Sequence, residues 1–279
     1  MKRLPIPYHW RQRLAGVRIR LRMLSADHRP LPGAVIIGAQ KSGTSTLLGN
    51  LLQHPAAAPP LRKEVRFFDF APARGERFYR AHFPFQTRPP RLAMEASPDY
   101  MIHPAVAGRM AAMLPDARLL AILRNPVNRA YSHFQHSLRR GHERLGFEAA
   151  LAAEAERLDG ELDRITVEPG HSLNALHRHS YLLRGRYADQ LERFLAVYPR
   201  ERLLVVRAED YFTDPQAMLR RVFAFLDLPP FAPAMTVRKK RIGLYEPMQS
   251  ATRAWLQNYF RAHNERLSAL LGEPFGWEE

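Results

Sequence analysis

Residues 38–47 read Gly-Ala-Gln-Lys-Ser-Gly-Thr-Ser-Thr-Leu, a lysine and four hydroxyls gathered around a glycine. That set suits an oxyanion. Lys41 brings a full positive charge, and Ser42, Thr44, Ser45 and Thr46 bring hydroxyl donors. Gly43 lets the backbone come close to a ligand. The apolar run of residues 34–37 comes first and reads as a buried strand. A helix opening at Thr44 would point its free N–H groups and positive dipole end at the same anion. The order is not that of a Walker A loop, where the lysine follows the second glycine and the next hydroxyl holds magnesium. Lys41 precedes Gly43, so no metal site is expected. A plain strand–helix turn with a solvated lysine is the ligand-free alternative.

The same logic recurs at residues 118–134. A second apolar strand ends at Arg124, and Asn125 precedes Pro126, which suits the first turn of a helix. Ser132 falls one turn after Asn128 on that helix. An arginine fork and a serine hydroxyl at a strand–helix junction can grip a second phosphate, although Arg124 could instead pair with a carboxylate. For proton transfer the best candidate is Glu64, in the run Lys63-Glu64-Val65-Arg66-Phe67-Phe68-Asp69, with a surface pair to Lys63 or Arg66 as its plainer reading. Asp69, Glu95 and Asp99 are weaker candidates. His133 and His136 share the helix of Ser132, and either could line an acceptor cleft. His177 and His179 lack the neighbours of a metal site.

The elements that must position these residues alternate strand and helix. Strands are expected at residues 34–38, 65–68, 92–96, 118–123 and 202–206. Helices are expected at 44–53, 75–82, 104–114, 127–139, 147–157, 181–198, 215–226 and 249–271. The pattern predicts a P-loop-like three-layer α/β/α fold with a central, mainly parallel sheet of about five strands. Two helices show apolar stripes expected to be core: Leu183, Tyr187, Leu191, Phe194 and Tyr198, and Trp255, Tyr259, His263, Leu267 and Leu270. Residues 1–32 form a basic amphipathic extension ahead of a domain at 33–279. There Trp10, Leu14, Val17, Leu21 and Leu24 recur at helical spacing among arginines. Such a stripe can lie on an anionic membrane through residues 9–24, or pack on the protein's own domain. Packing on the domain is the simpler expectation.

Forty-two Lys and Arg against 27 Asp and Glu give a net charge of +15. A surface of that kind favours anionic ligands, but no zinc spacing, RNA-recognition signature or helix-turn-helix pattern is present, and no nucleic-acid partner is expected. There is no cysteine, which excludes disulfides and points to a reducing cytoplasm, with the inner membrane surface as a variant of that location. No apolar run approaches the ~20 residues that span a bilayer.

Taken in order, residues 38–47, 63–69, 95–100 and 124–132, followed by 181–198 and 255–271, resemble the sulfotransferase domain of the heparan sulfate 3-O-sulfotransferases and N-deacetylase/N-sulfotransferases, in a bacterial-type form. The resemblance spans residues 34–277. It implies 3′-phosphoadenylyl sulfate (PAPS) as co-substrate. Lys41, Ser42, Gly43, Thr44, Ser45 and Thr46 would hold the 5′-phosphosulfate, and Arg124 and Ser132 the 3′-phosphate. Glu64 matches the general base of the 3-O-sulfotransferases. A basic segment that closes over the nucleotide in that family has its nearest counterpart at residues 238–243, giving Lys240 and Arg241 as further contacts. Ala96 stands where the heparan enzymes carry a lysine, so that cation is missing or comes from Lys63 or Arg66. The implied activity is in-line sulfuryl transfer to a hydroxyl or amine, with a glycan or glycoconjugate as the expected acceptor and Lys41 stabilising the leaving oxygen. The rival readings are a magnesium-dependent P-loop kinase for a small molecule and a non-catalytic protein that binds polyanions or membranes.

Overall fold

The computed structural model describes residues 8–168, 171–234 and 246–277, with side chains from residue 16 onward. Its sheet contains β1 (Ala34–Gly38), β2 (Ala57–Ala58), β3 (Leu92–Ala96), β4 (Arg118–Leu123) and β5 (Leu203–Arg207), in the order β2-β3-β1-β4-β5. Every pairing is parallel. All five residues of β1 are buried, as a parallel strand covered on both faces requires. The strands still sort their side chains by the period of two. Val35, Ile37, Leu119, Ala121 and Leu123 enter one core. Ala34, Ile36, Leu120 and Ile122 enter the other.

Fourteen α-helices occur among the described residues. The first seven are α1 (Tyr8–Met23), α2 (Thr44–Leu51), α3 (Phe67–Phe70), α4 (Gly75–Arg80), α5 (Val106–Met113), α6 (Pro126–Arg139) and α7 (Phe147–Ala152). The others are α8 (Glu154–Arg157), α9 (Glu161–Val167), α10 (Asn174–His179), α11 (Tyr187–Leu195), α12 (Ala208–Thr213), α13 (Pro215–Phe225) and α14 (Ser250–Leu271). Residues of α4, α5, α11 and α14 cover one face of the sheet, and those of α2, α12 and α13 cover the other. The chain winds from β1 outward to β2 and β3, then crosses to β4 and β5 on the other side. This leaves a switch point between β1 and β4, and open α/β sheets take ligands at such a point, beyond the carboxyl ends of the strands.

The structure corrects several expectations. Residues 65–68 are not a strand: Phe67–Phe70 is a single helical turn, and Glu64 and Arg66 have φ of 60° and 55°. Their backbone donors are satisfied by side chains rather than by a neighbouring strand. Arg66 N donates to Ser97 Oγ at 3.1 Å and Phe67 N to Tyr100 Oη at 2.9 Å. The missing edge strand is Ala57–Ala58, too short to show a period. Residues 181–186 do not begin a long helix, because their backbone is bonded elsewhere. Arg129 takes the Tyr181 carbonyl, and Glu154 accepts from Leu182 N and Leu183 N at 2.6 and 2.8 Å. Residues 147–157 divide into α7 and α8. The buried stripe of α14 is rotated by one position, to Leu256, Phe260, Asn264, Leu267 and Leu271. Trp255 is 50% exposed and stacks on Tyr259 along the flank instead. Of the N-terminal stripe, Trp10 and Leu14 lie outside the described side chains, and the described part does not pack on the domain. Val17, Leu21 and Leu24 are exposed, whereas Ile19 is buried.

Candidate active site

The first candidate anion loop leaves β1 at Gly38 and enters α2 at Thr44. Gly43 has φ of 108°, and a Cβ there would lie 2.9 Å from the Phe212 ring. Only glycine fits. Its carbonyl accepts from Thr46 N and Leu47 N at 2.9 and 3.0 Å, starting the helix. Ser42 and Thr44 are buried, Lys41 and Thr46 half-buried and Ser45 exposed.

The second loop lies beside it, since β1 and β4 are neighbours. Asn125 caps α6 by accepting from Val127 N and Asn128 N at 3.0 and 3.3 Å. Its own N–H donates to Glu209 Oε1 at 2.8 Å, so the first turn of α12 steadies this junction. The Arg124 carbonyl accepts from Tyr187 Oη at 2.7 Å, and its Nη1 donates to the Lys41 carbonyl at 3.4 Å. One arginine thus bridges the two loops. Ser132 is half-buried on α6. The neighbouring Tyr131 hydroxyl donates to the Glu246 carbonyl at 2.5 Å. Lys240 and Arg241 lie outside the described residues.

The third wall begins at β3. Glu64 is half-exposed and ion-paired with Lys63. Arg66 binds Asp69 at 2.8 Å and Asp99 at 3.3 Å. Asp99 also meets Arg184 at 2.7 Å and His177 Nδ1 at 3.0 Å. Burial opposes the Asp99 charge, but Arg184, His177 and Arg66 outweigh it and hold the carboxyl well below the usual carboxylate range. Burial pushes Asp69 up to about 6 against the pull of Arg66. Ala96 is fully buried, and the nearby cations are ion-paired, Lys63 with Glu64 and Arg66 with Asp69 and Asp99.

His133 is fully buried and bonds to the His177 carbonyl at 2.9 Å, which makes it part of the packing rather than of a cleft. His136 is half-buried. Burial and the charges of Lys41, Arg140 and Arg139 push it down to about 4, so it is neutral beside the loop lysine. No cluster that could hold a metal ion occurs among the described residues. Sequence reasoning gave no role to Arg184, Glu209 or Gln40, and left Asp99 among candidate bases. Glu209 lies outside every motif, and Gln40, Asp99 and Arg184 sit within segments that gave them no structural role. Their partners are distant in sequence: Asp99 meets Arg184 and His177, Gln40 meets His177, and Glu209 meets Asn125.

Glu95 is wholly buried and accepts from Tyr79 Oη at 2.5 Å, Tyr100 Oη at 3.0 Å and Ser97 Oγ at 3.0 Å. Burial pushes it up to about 7 despite those bonds. A carboxyl raised in the folded state contributes stability that is complete below its ordinary value of 4.5 and lost as pH rises through about 7. The shift corresponds to about 3 kcal/mol. Glu95→Gln, which keeps a neutral acceptor, should therefore gain in melting temperature relative to wild type between about pH 5 and pH 8. A gap that does not change with pH would show that Glu95 does not ionise in this window.

Comparison with known proteins decides the family. The sulfotransferase domain family matches residues 31–264. The chain belongs to the sulfotransferase family. This sulfotransferase superposes on the sulfotransferase from Alicyclobacillus acidocaldarius with a TM-score of 0.73 and 30% identity, covering 90% of this chain and all of that one. It is 31% identical to human bifunctional heparan sulfate N-deacetylase/N-sulfotransferase 3 over 88% of the chain, but spans only 30% of that protein's length. It is 28% identical to mouse heparan sulfate glucosamine 3-O-sulfotransferase 3A1, over 92% of this chain and 67% of that protein. A membrane-associated sulfotransferase of Dictyostelium discoideum is 27% identical over 89% of the chain and 67% of its own length. The sulfotransferase is an enzyme of sulfuryl transfer, on the α/β sheet that its family uses.

Proposed function

We propose that this sulfotransferase moves the sulfuryl group of PAPS to a hydroxyl or amine of a carbohydrate or glycoconjugate, with Glu64 as general base. The observation that carries the reading is the pair of anion loops on adjacent strands, bridged by Arg124 and Lys41. Two anionic groups of one nucleotide can be gripped there at once. Residues 41–46 suit the 5′-phosphosulfate, and Arg124 with Ser132 suits the 3′-phosphate. The reaction forms a bond from the acceptor oxygen or nitrogen to sulfur, and breaks the bond from sulfur to the 5′-phosphate oxygen. The electron pair leaves on that oxygen, where Lys41 and the N-terminus of α2 stabilise it. The acceptor proton passes to a carboxylate. Glu95 is sealed in the core, and Asp69 and Asp99 are buried in ion pairs. Glu64 is the half-exposed carboxylate of this edge. A sulfuryl group carries less negative charge than a terminal phosphoryl group, so lysine and backbone dipoles can serve where kinases use a metal. The carbohydrate acceptor follows the names of the heparan-modifying relatives.

The test is thermal stability with adenosine 3′,5′-bisphosphate (PAP) and with ATP, each with and without magnesium. A ligand of the folded state raises its stability by mass action. PAP is expected to raise the melting temperature without magnesium and ATP to do so much less. Arg124→Ala is expected to abolish most of the PAP effect. Equal stabilisation by ATP, only in the presence of magnesium, would replace this reading with a kinase.

A further inference from the structure

We propose that the outward face of α1 is a docking surface for an anionic lipid bilayer. The helix has two opposed apolar faces. Ile19 is buried and Met23 packs against the main core. Arg22 fixes this inner face by donating to the carbonyls of Ala81, at 2.5 Å, and Phe83. Arg77 adds a bond to the Met23 carbonyl at 3.0 Å. The opposite side carries Val17, Leu21 and Leu24, exposed by 52%, 63% and 79%. Steps of four and three place them on one stripe. Single exposed leucines are ordinary on a protein surface, but an aligned set on a docked helix needs a cover.

Charge selects that cover. The helix holds five arginines and no acidic residue. Arg18 and Arg20 are exposed on the two sides of the stripe. Asp27, just beyond the helix, is taken by Arg77 at 2.7 Å. A second copy would bring another chain of net charge +15 to a cationic face, which repels it. Nucleic acid would suit the arginines and leave the leucines in water. A bilayer with anionic headgroups satisfies both. Apolar side chains enter the headgroup–acyl boundary, and guanidinium groups on their flanks reach the lipid phosphates. The inner face stays on the domain, so docking needs no unfolding.

The experiment is co-sedimentation of the full chain with vesicles of phosphatidylcholine containing about a quarter phosphatidylglycerol, and with vesicles of phosphatidylcholine alone. Partition is expected to be at least about tenfold stronger on the anionic vesicles and to fall at high salt. Arg18→Ala with Arg20→Ala should lower it about tenfold, and Val17→Ser, Leu21→Ser and Leu24→Ser together by at least as much. Both variants change exposed side chains, so their melting temperature and PAP binding should match wild type. Undiminished partition of the serine variant would overturn the proposal, as would equal binding to neutral vesicles. A dimer seen by light scattering and dissolved by the serine substitutions would also overturn it, by giving the face to a second copy. The proposal does not depend on which acceptor the enzyme sulfates.

Discussion

Glu64→Gln is expected to leave fold and PAP binding intact and to cut turnover by about 10²–10⁴-fold, the contribution of a well-placed acid–base group. Glutamine keeps the size and one acceptor oxygen, and loses the charge, the ion pair with Lys63 and the ability to take a proton. The stability cost should stay below about 1 kcal/mol, because the ion pair with Lys63 is at the surface. The left-handed backbone at residues 64 and 66 holds this short segment away from the sheet. Ser97 and Tyr100, just beyond β3, fix its position through backbone donors. Glu64 is therefore set by its neighbours rather than by its own pairing. The measurement combines steady-state turnover on a glycan acceptor with PAP titration and a thermal melt. Joint loss of melting temperature and PAP affinity would make Glu64 a structural partner, and His136 would be the next candidate beside the loop lysine.

The sheet and the two strand–helix turns that follow β1 and β4 were legible because each rests on local signals. Buried parallel strands read as apolar runs, and β1, β3, β4 and β5 lie within a residue of their expected bounds. Gly43 is demanded by its own backbone and by Phe212, and Pro126 marks the start of α6. Two of the misreadings share one cause, backbone groups bonded to distant side chains. Residues 65–68 have the composition of a strand, yet their donors find Ser97 and Tyr100. Residues 181–186 have a helical pattern, yet Arg129 and Glu154 claim their carbonyl and amides. The stripe on α14 was misread for another reason. Trp255, Tyr259 and His263 contact one another along the helix surface, so an aromatic ridge took the place of core. In α1, periodicity gave the stripe but could not say that Ile19 and Met23 form a second one behind it.

Asp99→Ala is expected to cost about 3–5 kcal/mol of stability, the usual result of removing one partner from a buried ionic network. Asp99 is 5% exposed and Arg184 is 3% exposed. The carboxylate faces Arg184 on one oxygen, and Arg66 and His177 on the other. Without it, the buried guanidinium of Arg184 keeps its charge and loses the partner 2.7 Å away. Asp99→Asn should cost less, because the amide oxygen still accepts. The pH dependence distinguishes charge from packing. A carboxyl held below its usual range contributes stability above its ordinary value of 3.8, and loses it only as pH falls through the lowered one. The gap between wild type and Asp99→Asn should therefore hold steady from about pH 5 to pH 8 and narrow only in strong acid. Urea unfolding across that range measures it. The same carboxylate orients His177, which contacts Gln40 at 3.5 Å in the first anion loop, and Arg66, two residues from Glu64. Loss of Asp99 should thus loosen both sides of the acceptor edge and lower turnover even at temperatures where the variant is folded. A variant that keeps wild-type stability and turnover would show that Arg66, Arg184 and His177 are held by other contacts.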